Sequence, residues 1–259
     1  MARVDGKVVL VTGATQGIGR AIAEALAGAG ADGLLLTGRD AGRGEALAAQ
    51  LGSSGVKAAF VVAELGDIDA PRMLVAECLA RFGRIDILVN AAGLTDRASV
   101  LDADPVLWSK LFDVNARAPF FLMQAAIAAM RERGQGGAIV NILSMNAHCG
   151  GPDLAVYAAT KGALATLTRN AANAHRFDRI RVNGINVGWT DTPAERVMQA
   201  ETLGQGEGWI AAANAALPFG RLLAASEVAN LALFLASDAA GPMTGALIDQ
   251  EQWVVGAKG

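Results

Sequence analysis

The segment Lys7-Val8-Val9-Leu10-Val11-Thr12-Gly13-Ala14-Thr15-Gln16-Gly17-Ile18-Gly19 decides how this chain folds. Lys7–Val11 is a short apolar run read as a buried strand, and Ile18–Ala29 carries the period of a helix. Three glycines join them. Gly13 lets the backbone turn sharply off the strand, Gly17 lets the main chain approach a pyrophosphate, and Gly19 lets the helix pack closely on the sheet. The free N–H groups at the helix start then face phosphates, so the unit reads as a dinucleotide cradle.

The same alternation repeats outward from this unit. Strand patterns fall at Leu34–Thr37, Ala58–Val62, Ile85–Val89, Ala138–Leu143, Ile180–Asn186 and Gly245–Asp249. Helical patterns fall at Gly42–Gln50, Ala70–Phe82, Asp104–Arg133, Ala155–Arg176 and Ser226–Leu235, where Ser226 and Glu227 suit a helix start. Buried strands alternating with helices predict an α/β fold: a Rossmann-type, doubly wound parallel sheet of about seven strands with helices on both faces. No linker, repeat or low-complexity tract interrupts residues 1–259, so one domain is expected. The single long break, Trp189–Phe219, follows the sixth strand and reads as a lid over the carboxyl edge of the sheet.

Hydrophobic residues make up 53% of the 259 residues and charged residues 18%, a composition that supports a large core. A net charge of −3 gives no pull toward nucleic acid or an anionic membrane, and neither is expected as a partner. Cys78 and Cys149 lie far apart, and His148 and His175 are too few for a histidine-based site, so no metal is expected. With two thiols expected to be reduced and a start without an apolar signal region, a cytoplasmic location is expected. No apolar run is long enough to span a bilayer.

Tyr157 and Lys161 stand four residues apart in a helical pattern, one turn apart on one face. A nearby ammonium favours the phenolate and makes a tyrosine usable as an acid/base near neutral pH. Tyr157 is also the only tyrosine in the chain. Ser144, just past the fifth strand, is placed to hydrogen-bond a substrate oxygen.

Thr12-Gly13-x-x-x-Gly17-x-Gly19, Asn90-Ala91-Ala92-Gly93, Asn115, Ser144 and Tyr157-x-x-x-Lys161 occur in order on the expected elements. In this the chain resembles the short-chain dehydrogenase/reductase family, in particular its single-domain 3-ketoacyl reductase and polyol dehydrogenase-like members. The resemblance covers nearly the whole chain. It implies an NAD(P)-dependent oxidoreductase that moves a hydride between a nicotinamide and a carbonyl or secondary alcohol. Ser144, Tyr157 and Lys161 would be catalytic, and Asn115 would hold a water near Lys161. Cofactor contacts would come from Gly13, Thr15, Gln16, Gly17, Ile18, Gly19, Arg39, Glu64, Leu65, Asn90, Ala91, Gly93, Tyr157, Lys161, Gly188, Thr190 and Thr192. Relatives are commonly tetramers, so a homotetramer or homodimer is expected. The alternative is a non-catalytic dinucleotide-binding redox sensor, which need not retain the four catalytic residues.

The second strand ends in Thr37-Gly38-Arg39-Asp40. Gly38 stands where an NAD site usually carries an acid, and Arg39 follows, suited to a 2′-phosphate. NADP is therefore the preferred cofactor and NAD the alternative, with Arg39 stacking on adenine or Asp40 reaching the ribose. Glu64 stands where the family has an Asp, and Val187-Gly188 replaces its Pro-Gly. Asp249-Gln250-Glu251-Gln252-Trp253 replaces a C-terminal Asp-Gly-Gly, a polar change that hints at a sugar or polyol substrate. His148 reads as a loop residue.

Overall fold

The computed structural model describes residues 2–256. Its main sheet contains β1 (Val8–Thr12), β2 (Gly33–Gly38), β3 (Lys57–Val62), β4 (Ile87–Asn90), β5 (Gly137–Ile142), β6 (Ile180–Val187) and β9 (Leu247–Gln250). All seven strands are parallel, in the order β3-β2-β1-β4-β5-β6-β9. The expected doubly wound sheet is the one observed. Its strand order reverses at β1 and β4, and the crevice opens at their carboxyl ends.

Strands buried on both faces need an apolar layer on each side. One layer comes from α1 (Gly17–Gly28), α2 (Ala41–Ser53) and α9 (Ala225–Ala236), where Ile22, Leu26, Leu47, Val228 and Leu235 pack on the sheet. The opposite layer comes from α3 (Ala70–Phe82), α5 (Ala118–Arg133) and α6 (Ala155–His175), through Leu74, Cys78, Leu122, Met130 and Leu164. The Cys78 thiol is buried in this second layer, and desolvation pushes its pKa up to about 12, leaving it an inert apolar filler.

The helical pattern over 104–133 is not one α-helix. It comprises α4 (Pro105–Phe112), a π-helical turn at Asp113–Arg117 and then α5. The segment 189–219 carries a short strand β7 (Thr190–Asp191), α7 (Pro193–Val197), a second π-helical turn at Met198–Thr202 and α8 (Trp209–Ala216). β7 pairs with β8 (Leu223–Ala224). Trp209, Ala213 and Leu222, with Trp189 packed against them, give this segment its own small core. α9 begins at Ala225, one residue before Ser226, and Glu227 reaches back to accept the Ala224 N–H at 2.8 Å. No described helix is long and apolar enough to cross a membrane.

Candidate active site

The register of the sheet puts Thr12, Thr37, Asn90 and Asn141 side by side at the carboxyl edge. Beyond them the loops enclose a cavity of about 720 Å³. Gly13, Thr15, Gln16, Gly17, Ile18 and Gly19 line one wall, with Arg39, Glu64 and Leu65 at that end. Ala91 and Gly93 line the middle, and Gly188, Thr190 and Thr192 close it from the β6 side.

The glycine turn is shaped by contacts inside the protein. Gly13 has φ +66°, and a Cβ there would stand 2.7 Å from the Ala92 Cα. A Cβ on Gly19 would stand 2.2 Å from the Gly13 carbonyl oxygen. Gly19 thus packs on its own turn as well as carrying the helix. The first turn of α1 has no side-chain cap, whereas Asp40 caps α2 and Asp104 caps α4. Uncapped N–H groups over a glycine-lined floor fit a pyrophosphate.

At the far end of this wall, a Cβ on Gly38 would stand 2.7 Å from the Thr15 side chain, so an acid there would have to displace it. Asp40, read above as an alternative ribose ligand, is committed elsewhere: it accepts the Arg43 N–H at 2.9 Å and pairs with the Arg43 side chain at 3.1 Å. Arg39 is two-thirds exposed and only loosely paired with Glu64, at 3.9 Å. Arg43, which the sequence reading passed over, donates to the Gln16 side chain at 2.8 Å and so also overlooks the glycine loop. Its position in the first turn of α2, three residues after the Asp40 cap, was the signal for it.

Ser144, Tyr157 and Lys161 meet on the cavity wall at the end of β5 and the start of α6. Tyr157 and Lys161 are buried, with the Lys161 Nζ 5.7 Å from the Tyr157 ring centre. Burial raises the Tyr157 pKa above its ordinary value; the neighbouring Ser144 hydroxyl opposes this, and the Glu195 carboxylate adds to it. The Lys161 Nζ donates to the Ile142 carbonyl at 2.9 Å, and desolvation lowers its pKa to about 8. The Ser144 hydroxyl accepts the Asn146 N–H at 3.2 Å, which fixes it at the start of the substrate-side loop. At neutral pH the arrangement is a protonated phenol flanked by a hydroxyl and an ammonium, suited to giving a proton to a nascent alkoxide.

Two residues named from the sequence lie behind this wall. Asn115 is fully buried in the π-helical turn. Its amide accepts the Leu94 N–H at 2.8 Å and donates to the Leu94 carbonyl and the Thr160 hydroxyl. It clamps the β4 loop to α6. A Cβ on Gly93 would stand 3.6 Å from the Asn115 Oδ1 and 3.5 Å from the Lys161 Nζ, so these two groups border the same small space. The Asn90 side chain donates to Asn141 at 2.8 Å, and Asn141 to Thr168 at 2.9 Å. The Asn90 amide thus ties β4 through β5 to α6 and does not line the cavity. His148 pairs with Asp249 at 2.9 Å and likewise stands outside the cavity lining.

For the remaining wall the segments were read from the sequence, the 189–219 lid and the polar run after β9, but not the side chains that face the cavity. Glu195, Gln199, Trp189 and Asn146 line it, as do Arg97 from the β4 loop and Glu251 beyond β9. The run Thr192-Pro193-Ala194-Glu195 is a helix-start signature that would have located α7 and its glutamate. Thr192 caps α7, accepting the Glu195 N–H at 3.2 Å. Among the described residues no cluster of three or more His, Cys, Asp or Glu is placed to hold a metal ion.

A family model described as short chain dehydrogenase matches residues 7–202. The sorbitol dehydrogenase of Cereibacter sphaeroides is 36% identical over 241 residues, covering 91% of this chain and 92% of its own. The trans-4-hydroxycyclohexanecarboxylate dehydrogenase of Sinomonas cyclohexanicum is 34% identical, covering 94% and 91%. The structure of L-sorbose reductase from Gluconobacter frateurii, complexed with NADPH and L-sorbose, superposes with a TM-score of 0.93 at 29% identity, covering 99% of both chains.

Proposed function

The chain belongs to the short-chain dehydrogenase/reductase family, and from that premise we propose that it interconverts a ketone and a secondary alcohol on a sugar or polyol, with NADP preferred over NAD. The convergence of Ser144, Tyr157 and Lys161 on one cavity wall carries this reading. Bound along the glycine wall, the nicotinamide coenzyme supplies the hydride in reduction and takes it in oxidation.

The protein's own groups handle the proton. Tyr157, held protonated by burial, gives its proton to the substrate oxygen as negative charge develops there. The Ser144 hydroxyl donates a second hydrogen bond to that oxygen. Lys161, still an ammonium at neutral pH, favours the phenolate left behind. Asn115 keeps the β4 loop and α6 in register and so positions Lys161. In the oxidation direction the phenolate must form first, so that direction gains as pH rises.

The NADP preference rests on the absence of an acid at Gly38 and on the pair Arg39 and Arg43 beside the glycine loop. The same reading takes residues 1–259 as one domain with 189–219 as its substrate lid. It also takes the assembly as a homotetramer or homodimer, supported by the exposed apolar side chains Val106, Trp108 and Phe120 on α4 and α5. A reducing, cytoplasmic setting is supported by two cysteines that stay free.

The test follows NADPH and NADH absorbance with sugars, polyols and simple ketones for the wild type and Tyr157→Phe. We expect turnover with a polyol or its ketose, lowered by roughly 10²- to 10⁴-fold in the variant while coenzyme binding is kept. Equal turnover in both proteins would remove Tyr157 from the mechanism.

A further inference from the structure

The lid glutamate Glu195 is held in an unusual way. A glutamate at the third position of a helix normally turns back to the cap residue. Here one oxygen, Oε1, accepts from the Trp189 Nε1 at 2.8 Å and from the buried Gln199 Nε2 at 2.6 Å. Gln199 is fixed in turn by Gln205, at 2.9 Å, and Trp189 packs against Trp209, ring centres 5.9 Å apart and tilted by 30°, in the lid's own core. Neither donor carries a charge, and no cation pairs with this carboxylate among the described residues. Oε2 accepts no hydrogen bond from the described residues, and the side chain lines the same cavity as Tyr157. Its negative charge acts on Tyr157 and, with burial, helps to raise the pKa of the phenol.

We propose that Glu195 makes this site select an uncharged, polyhydroxylated substrate, its free Oε2 accepting a hydrogen bond from a substrate hydroxyl near the reacting carbon. The inference rests on the oxidoreductase reading above and narrows it. A hydroxyl meets a ready, oriented acceptor there, and a substrate carboxylate meets a like charge.

The rest of the wall works in the same direction. Glu251 brings a second carboxylate, pressed so closely on Gly188 that a Cβ there would stand 2.3 Å from its Oε2. Arg97, a guanidinium that could welcome an acid, also lines the cavity; one of its Nη groups is bound to Asp153 at 2.6 Å, and its buried Nε has no hydrogen-bond partner. Two carboxylates therefore line the cavity, Glu251 held by the backbone N–H groups of Trp189 and Gln252, and the guanidinium on this wall already has a carboxylate partner in Asp153.

The experiment compares wild type, Glu195→Gln and Glu251→Gln on D-sorbitol, cyclohexanol and trans-4-hydroxycyclohexanecarboxylate, with NADP as coenzyme. Binding of each compound to the NADP-loaded protein is followed in parallel by tryptophan fluorescence, for which Trp189 is a built-in reporter. Glutamine keeps the acceptor for Trp189 and removes the charge. We expect the wild type to favour sorbitol over the acid. Glu195→Gln should lower kcat/KM for sorbitol by roughly 10- to 100-fold, the worth of a hydrogen bond to a charged group, chiefly through KM. Cyclohexanol, which has no second hydroxyl, keeps only the effect of the lost charge on Tyr157 and should lose clearly less than sorbitol, and the acid should improve. Glu251→Gln should improve the acid without the sorbitol loss. A wild type that favours the acid overturns the proposal and leaves the oxidoreductase intact, as does an equal loss on sorbitol and cyclohexanol. Turnover of none of the three, with no sorbitol binding, overturns both.

Discussion

Lys161 offers a quantitative check on the electrostatics of the site. Its side chain is 4% exposed, has no carboxylate partner, and titrates at about 8 against an ordinary 10.5. The unfolded chain therefore binds a proton at this lysine between pH 8 and 10.5 that the folded chain does not, and the protein gains stability as pH rises through that window. Below pH 8 the burial penalty is fully present. At about 1.4 kcal/mol per pH unit, it amounts to roughly 3 kcal/mol. Lys161→Met keeps the aliphatic stem and removes the charge. It also loses the hydrogen bond to Ile142, worth about 1 kcal/mol at any pH. The variant should be inactive yet more stable than the wild type by roughly 2 kcal/mol at pH 7, and the advantage should be gone by pH 10.5. Urea unfolding of the coenzyme-free proteins at both pH values, followed by tryptophan fluorescence, reads the difference directly. Groups remote from Lys161 that titrate in this range cancel between the two proteins, and making both comparisons on a Tyr157→Phe background removes the neighbouring phenol. A stability difference that stays constant from pH 7 to 10.5 would refute the argument.

Two further predictions concern the coenzyme wall. Gly13→Ala and Gly6→Ala place a Cβ on nearly the same backbone conformation, φ +66° and +68°, but only the first meets the main chain of Ala92. Gly6→Ala should cost about 1–2 kcal/mol, and Gly13→Ala clearly more, with coenzyme binding lost; equal shifts in denaturation midpoint would disprove the packing role. Arg39→Ala and Arg43→Ala should each raise the KM for NADPH by roughly tenfold or more and leave NADH almost unchanged. Parallel changes with both coenzymes would mean that neither guanidinium reads a 2′-phosphate.

The order of elements was legible because each strand here is a short apolar run between helical periods, and every run found its place in one parallel sheet. The ends were less legible, and for one reason. The strand patterns read from the sequence stop at Val11, Val89 and Asp249, but the ladder continues through Thr12, Asn90 and Gln250, polar residues that pair in register at the carboxyl edge. The π-helical turn at Asp113–Arg117 was absorbed into one long helical pattern, since the residue it adds shifts the apolar period only once, by a single position. Yet it is where Asn115 is carried. The Ser144, Tyr157 and Lys161 set could be named because chemistry restricts which side chains serve. Asn90 illustrates the opposite case. Its place beside the cavity was evident from the strand it ends, but the direction of its amide, toward Asn141, depends on a neighbour 51 positions away.

Packing and chemistry share the same atoms in this site. The glycine turn that would face the phosphates leans on Ala92, in the loop that Asn115 clamps to α6, and α6 carries Tyr157 and Lys161. Gly17 stands 3.3 Å, as a built Cβ, from Thr192, the cap of the helix that carries Glu195. The coenzyme wall, the proton-transfer residues and the lid are thus joined through contacts at positions where a larger side chain does not fit. A substitution at Gly13 or Gly17 acts on the coenzyme wall and on the geometry of catalysis together. Substitutions at Arg39 or Glu195 act on exposed or cavity-facing groups and leave that frame standing. Coenzyme specificity can therefore change by a single charge at Arg39 with the frame intact, whereas a change at Glu195 keeps the frame but also removes a charge that raises the Tyr157 pKa.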